Sequence, residues 1–261
     1  MQSKDSVIWI TGATGGFGRE LALKCAQNGA KLALTSRSKS AIEELAAQCE
    51  KSGSPKALAQ PVDVRDAAAV AAAADSIYRA FEGIDGLVAS AADVPLGDLQ
   101  SLTDEDWMYG IQNKLLATVY CLRAVLPRMR ERKRGRVVVL SGSRGFEPMP
   151  KSLLPGAVNA ALNNVVKGLS REYARDGVAI NTVSPSLVMT PRGELYINTE
   201  AEKSGRSAAE IKADWTRELP SGRFVRPEEI VNTIYELLFS MPDAFTGQTV
   251  MVDGGESRAV H

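Results

Sequence analysis

The sequence predicts an α/β fold, a single domain built on a doubly wound parallel sheet. Three observations carry this. Short apolar runs alternate with longer helix-like segments along the whole chain. Most of the runs are nearly continuous in apolar residues, the pattern of strands covered on both faces. A glycine-rich turn, TGATGGFG, follows the first run and opens a helix-like segment.

Taken in order, the first strand is SVIWITG (6–12), followed by a helix over 17–28. KLALTS (31–36) is the second strand and 38–51 its helix. ALAQPVDV (57–64) leads into a helix over 66–82, and GLVASAA (86–92) into a long one over 104–131. RVVVLSG (136–142) precedes a helix over 156–175, whose first turn suits Pro155 because the missing N–H goes unused there. VAINTVSP (178–185), a helix over 227–240 and the last strand TVMVDGG (249–255) complete the chain. Residues 191–220 break the rhythm just after a strand's C-terminal end. Ligands bind at that edge of an open sheet, so a substrate lid is expected there.

With 261 residues, 44% hydrophobic and 24% charged, the chain can bury one sizeable core, and no linker divides it. The formal net charge of zero gives no global reason to expect nucleic acid or an anionic membrane as partner. The basic run RMRERKRGR (128–136) lacks interleaved aromatics and is interrupted by Glu131. It reads as a solvated helix end, with cations near the last carbonyls. Cys25, Cys49 and Cys121 are odd in number and far apart, which suits a reducing compartment and gives no disulfide or metal spacing. The single histidine, His261, is terminal, which argues against a Ser–His–Asp site and a histidine-rich metal site. No secretory leader or bilayer-spanning stretch is visible, and a soluble, cytoplasmic protein is expected.

The turn after the first strand spaces Gly12, Gly16 and Gly18 as G-x-x-x-G-x-G. Glycine permits the tight turn and the close approach of backbone to a pyrophosphate, and the next helix aims free N–H groups at that anion. The second strand ends in Ser36 and Arg37 with no acid. A carboxylate there would bond a ribose 2′-hydroxyl and repel a 2′-phosphate, whereas Arg37 can pair with the phosphate. NADP(H) is therefore expected over NAD(H). The plainer reading makes Arg37 an exposed helix-start residue.

These segments resemble the short-chain dehydrogenase/reductase family over roughly residues 5–255. The resemblance implies a Rossmann-type domain, commonly assembled as a homodimer or homotetramer, acting on a small molecule. TGATGGFG resembles the family's cofactor turn, which implies dinucleotide contacts from Gly12, Thr14, Gly16, Phe17 and Gly18. PVDVRD resembles its adenine segment and implies Asp63 and Val64. GLVASAA places Ala89, Ser90, Ala91 and Ala92 where the family has N-N-A-G, and Ala89 and Ala91 are expected at the cofactor. WMYGIQNKL supplies a helix asparagine, Asn113. INTVSPSLVMTP resembles the stretch around the nicotinamide, implying Pro185, Val188 and Thr190.

The departures fall on the catalytic set. Counting back from Asn181, the family's tyrosine position holds Pro155, its lysine position Asn159 and its serine position Gly142. No Tyr-x-x-x-Lys occurs anywhere in the chain. Of the four positions only Asn113 keeps the usual residue. In the family the tyrosine gives a proton to a carbonyl oxygen, the lysine supports it and holds the nicotinamide ribose, and the serine orients the substrate. Proline donates no proton, Gly142 offers a backbone N–H, and Asn159 can bond a ribose hydroxyl but brings no charge. Loss of a positioned general acid costs ~10²–10⁴ in rate, so ordinary ketone reduction is not expected. Replacement donors are Ser143 and Lys151, then Tyr196, Ser141, Tyr109 and Glu147, although each is more readily a surface or packing residue.

Three functions stay open. The first is an NADP(H)-dependent oxidoreductase with a non-standard site, acting on an activated acceptor such as an iminium, a quinone or an enone. The second is a non-redox lyase or isomerase on the same scaffold, since folds host many chemistries. The third is a catalytically silent NADP(H)-binding protein or subunit. The cofactor segments and a long lid-like insertion put the oxidoreductase first. No metal is expected.

Overall fold

The computed structural model describes residues 1–91 and 93–259; Ala92 and His261, both named above, lie outside the described residues. Its core is a seven-stranded sheet in the order β3-β2-β1-β4-β5-β6-β7. The strands are β1 (Val7–Thr11), β2 (Lys31–Ser36), β3 (Ala57–Pro61), β4 (Gly86–Ala89), β5 (Gly135–Leu140), β6 (Val178–Pro185) and β7 (Thr249–Val252). Every neighbouring pair is parallel. The chain moves outward from β1 to β3, then returns to place β4 on the other side of β1. Between β1 and β4 lies the switch point, where the loops part into a crevice.

The continuous apolar runs follow from this arrangement. Along β1, Ile8 and Ile10 join the core under α1 (Gly16–Gln27), α2 (Lys39–Lys51) and α9 (Pro227–Phe239), packing with Leu21, Leu45 and Ile234. Val7 and Trp9 point the other way, into the core under α3 (Ala67–Phe81), α5 (Ala117–Glu131) and α6 (Leu153–Tyr173), with Ile77, Val125 and Leu162. Neither face meets water, so neither needs polar residues. The three cysteines are free and buried in these cores. Burial pushes the Cys49 thiol up to about 11 and the Cys121 thiol to about 12, which keeps both protonated and unreactive.

Helix starts are fixed by local chemistry. Asp66 caps α3 by accepting from Ala68 and Ala69 N–H. Thr103 and Asp106 form a reciprocal capping box on α4 (Asp104–Gly110). The long helix expected over 104–131 is divided: α4 passes through a single π-helical stretch, Ile111–Leu116, before α5 begins. Helix α6 starts at Leu153, earlier than expected, so Pro155 sits inside its first turn.

The segment expected as a lid forms α7 (Pro191–Ser204) and α8 (Ala208–Glu218), with a small core of Ile197, Ala201, Ile211 and Phe224. A bridge between Val188 and Val225 ties its two ends. The basic run is more than a solvated helix end. Arg128 pairs with Asp75, Arg130 with Glu172 and Asp176, Lys133 with Asp176, and Arg132 with the buried carboxylate of Asp85. Arg136 is itself buried on β5 and pairs with Asp243.

Candidate active site

The C-terminal ends of β1, β2, β4, β5 and β6 open onto one edge of the sheet, and the residues singled out above gather there. The turn after β1 is held from both sides. Ala13 N–H donates to the Thr35 carbonyl, and the Ser90 hydroxyl donates to the Thr11 carbonyl (2.6 Å). Gly12 has φ +64°, and a β-carbon there would stand 2.8 Å from the backbone of Ala91, so the position accepts only glycine. Gly18 packs on Gly12 and Ala13 in the same way. Gly16 differs: it is exposed, and a β-carbon on it would first meet the Thr190 methyl at 3.5 Å. The start of α1 therefore lies close to Thr190.

Helix α1 has Gly15 as its N-cap, no side-chain cap and no acid in its first turn. Its leading N–H groups face an open, glycine-lined surface, an arrangement suited to a pyrophosphate. At the end of β2, Ser36 is buried and its hydroxyl bonds the Ser38 carbonyl, while Arg37 projects outward. Asp63 lies nearby and is held bidentately by Arg65, at 3.0 and 2.6 Å. That hydrogen bonding, helped by the charges of Arg65 and Arg37, keeps the Asp63 carboxyl below the usual carboxylate range. Val64 and Ala89 are buried beside this edge, Ala91 is half-buried, and Thr14 and Phe17 are half-buried on the turn. Across the crevice, Val188 is buried, Pro185 is half-buried, and Thr190 caps α7 by accepting from Gly193 N–H. The residues present therefore fit a nicotinamide dinucleotide, with the glycine turn and the start of α1 suited to its pyrophosphate.

The ends of β4 and β5 lie beside an unexpected side chain. Lys114 lies in the π-helical stretch, next in sequence to Asn113, and both are buried. The wider turn brings two consecutive residues inward together. Asn113 donates to the Asp93 carbonyl (2.6 Å) and pins the loop after β4. The Lys114 ammonium donates to the Asn159 carboxamide oxygen (2.6 Å) and to the Ser141 carbonyl (3.1 Å). With Oδ1 so held, Asn159 turns its Nδ2 towards Gly142, where a β-carbon would lie 2.7 Å away. Lysine is almost never buried without partners, and the Asn159 and Ser141 oxygens are two that Lys114 holds.

The replacement donors are placed differently. Ser143 is buried at the start of a short 3₁₀ turn beside Gly142. Ser141 bonds back to the Asn159 carbonyl. Lys151 is largely exposed and reaches Glu200 on α7 (3.2 Å). The Tyr109 hydroxyl donates to Asp93 (3.4 Å), and Glu147 accepts from Arg258 N–H. Tyr196 is half-buried on α7. The structure thus joins Lys114, Ser141, Gly142 and Asn159 in one cluster, with Asn113 adjacent through the π-helical stretch, and pairs Lys151 with Glu200 on α7. Reasoning from sequence missed Lys114. The available signal was a lysine beside Asn113 together with an asparagine standing where a lysine was expected.

Comparison with known proteins agrees with this geometry. A family model described as enoyl-(acyl carrier protein) reductase matches residues 12–257. The chain belongs to the short-chain dehydrogenase/reductase family. It is 31% identical to the D-threitol dehydrogenase of Mycolicibacterium smegmatis, over 95% of this chain and 92% of that protein. It is 30% identical to the 2-keto-3-deoxy-L-fuconate dehydrogenase of Xanthomonas campestris pv. campestris, over 95% of this chain and 79% of that one. The L-sorbose reductase of Gluconobacter frateurii, solved with NADPH and L-sorbose, superposes over the full length of both chains with a TM-score of 0.91 at 26% identity. The fold and these relatives are those of an oxidoreductase. Among the described residues, no helix is long and apolar enough to cross a membrane.

Proposed function

We propose that this family member is an NADP(H)-dependent oxidoreductase with a non-standard site, which reduces an activated acceptor carrying an apolar body. The observation that carries the reading is the pairing of an uncapped, acid-free helix start at Gly16 with an exposed arginine at the end of β2. The first binds a pyrophosphate, and the second favours the phosphorylated cofactor. When bound, the reduced nicotinamide supplies hydride.

The chain's own residues do the rest. Arg37 and the N–H groups of α1 fix the dinucleotide. Asn113 holds the loop after β4, while Asn159 and Ser143 present polar groups beside Gly142. Pro155 stands on α6 where the family places its proton-donating tyrosine, so an acceptor polarised in advance, with its proton taken from water, suits this pocket. Large exposed apolar side chains rim the same sheet edge: Leu96 and Leu99 after β4, Met108 on α4, Met149 after β5 and Leu195 on α7. The loops bearing them are tied by the Gly97–Ser152 bridge and the Lys151–Glu200 pair.

The test is titration of NADPH and NADH against the wild type and Arg37→Ala. Tighter binding of NADPH, lost in the variant, supports the reading; equal affinities unaffected by the substitution overturn the cofactor preference. Oxidation of NADPH followed at 340 nm against quinones and enones tests the chemistry. Product formation without net oxidation would assign the site to a lyase or isomerase instead.

A further inference from the structure

The geometry points to Lys114 as a relocated positive charge: reaching in from the π-helical stretch, it grips Asn159 and sets that carboxamide to hold the nicotinamide-ribose end of the dinucleotide. The inference rests on the dinucleotide reading above and adds to it the residue that organises the far half of the site.

Three features support it. The first is direction. With the 2′-phosphate end at β2 and the pyrophosphate at β1, the other half must cross the ends of β4 and β5, because β4 and β5 follow β1 in the sheet. Ser141 and Gly142 stand just past the end of β5, and Lys114 and Asn159 close over them.

The second is charge. Burying an ammonium is costly unless hydrogen bonds offset the lost water. A fold with no use for the charge would place an apolar residue at 114. Here a lysine is retained, and two of its bonds go to the Ser141 carbonyl and the Asn159 carboxamide oxygen.

The third is orientation. A free carboxamide can present either end. The 2.6 Å bond from Lys114 fixes Oδ1 as the acceptor, so Nδ2 is the end turned to Gly142. A donor aimed there can serve a ribose hydroxyl, as the ammonium of a lysine on α6 would. Lys114 thus acts through Asn159 and is a positioning residue.

The test compares two ligands by calorimetry: NADPH, which carries the nicotinamide ribose, and 2′,5′-ADP, which lacks it. For Lys114→Met, NADPH binding should weaken roughly tenfold to a hundredfold, the value of a hydrogen bond to a charged group, while 2′,5′-ADP binding stays unchanged. A merely structural role would weaken both ligands together. Asn159→Asp keeps a partner for the ammonium and so protects the fold, but it removes the Nδ2 donor and cancels the charge. It should lose NADPH affinity by at least the lower of those factors and again spare 2′,5′-ADP. If NADPH affinity survives in Asn159→Asp, or if both ligands weaken equally in the two variants, the inference is overturned while dinucleotide binding stands. If the wild type binds neither ligand, both readings fall.

Discussion

Asn159 and Gly142 approach so closely that a β-carbon on residue 142 would stand 2.7 Å from the carboxamide nitrogen. The Gly142 backbone is extended (φ 169°), a conformation open to any residue, so the restriction is one of space. The carboxamide cannot easily swing aside, because Lys114 holds its other end. The absence of a serine at 142 and the presence of asparagine at 159 are therefore one structural fact.

Gly142→Ser should consequently destabilise the protein by ~1–3 kcal/mol, the usual cost of overpacking. In an Asn159→Ala background the same change should cost less, because the obstructing group is gone. Denaturant unfolding of the four proteins in this cycle measures the coupling.

Gly16 separates folding from binding. Its β-carbon position meets only the Thr190 methyl, at ordinary contact distance, so Gly16→Ala should fold with stability within about 1 kcal/mol of wild type. The added methyl group would pack against Thr190 at the helix start proposed to face the pyrophosphate, and should weaken NADPH binding. Thermal unfolding and calorimetry on one sample distinguish the two effects.

Lys151→Ala should leave NADPH affinity unchanged and shift stability by less than about 1 kcal/mol, as for other exposed ion pairs. A proton donor would behave otherwise: its removal would cut turnover by ~10²-fold or more with any acceptor that the wild type reduces. Steady-state rates for the variant decide between a tie to α7 and a chemical role.

Glu229, at the start of α9, is held down to about 2 by hydrogen bonds from the Arg223 side chain and the Arg226 backbone. A carboxylate whose folded pKa lies below its unfolded value contributes stability that is present above the unfolded pKa and lost as pH falls towards the folded one. Glu229→Gln should therefore be less stable than wild type at neutral pH, and the gap should narrow as pH falls from about 5 to about 2. Unfolding midpoints measured across that window check the sign.

Much of the architecture was legible because its causes are local. Ile8, Trp9 and Ile10 read as strand because both faces are covered, and the glycine spacing declares the turn that Gly12 and Gly18 require. The site was legible only where a segment acts through its own backbone. Lys114 was not, because whether it points inward depends on the π-helical stretch and on a partner 45 residues away. Lys151 looked able to reach the site along the chain, yet Glu200 on α7 lies within its reach. Arg65 sits in plain view beside Asp63, but its grip on that carboxylate is a matter of side-chain geometry.

The stretch Ile111–Leu116 accommodates an extra amino acid within one turn, and that surplus is what points Asn113 and Lys114 the same way. Deleting a single residue there would regularise the helix and rotate one of the two out of the crevice. The loop anchor and the internal cation would then compete for one inward slot, so the straighter helix would be the poorer enzyme.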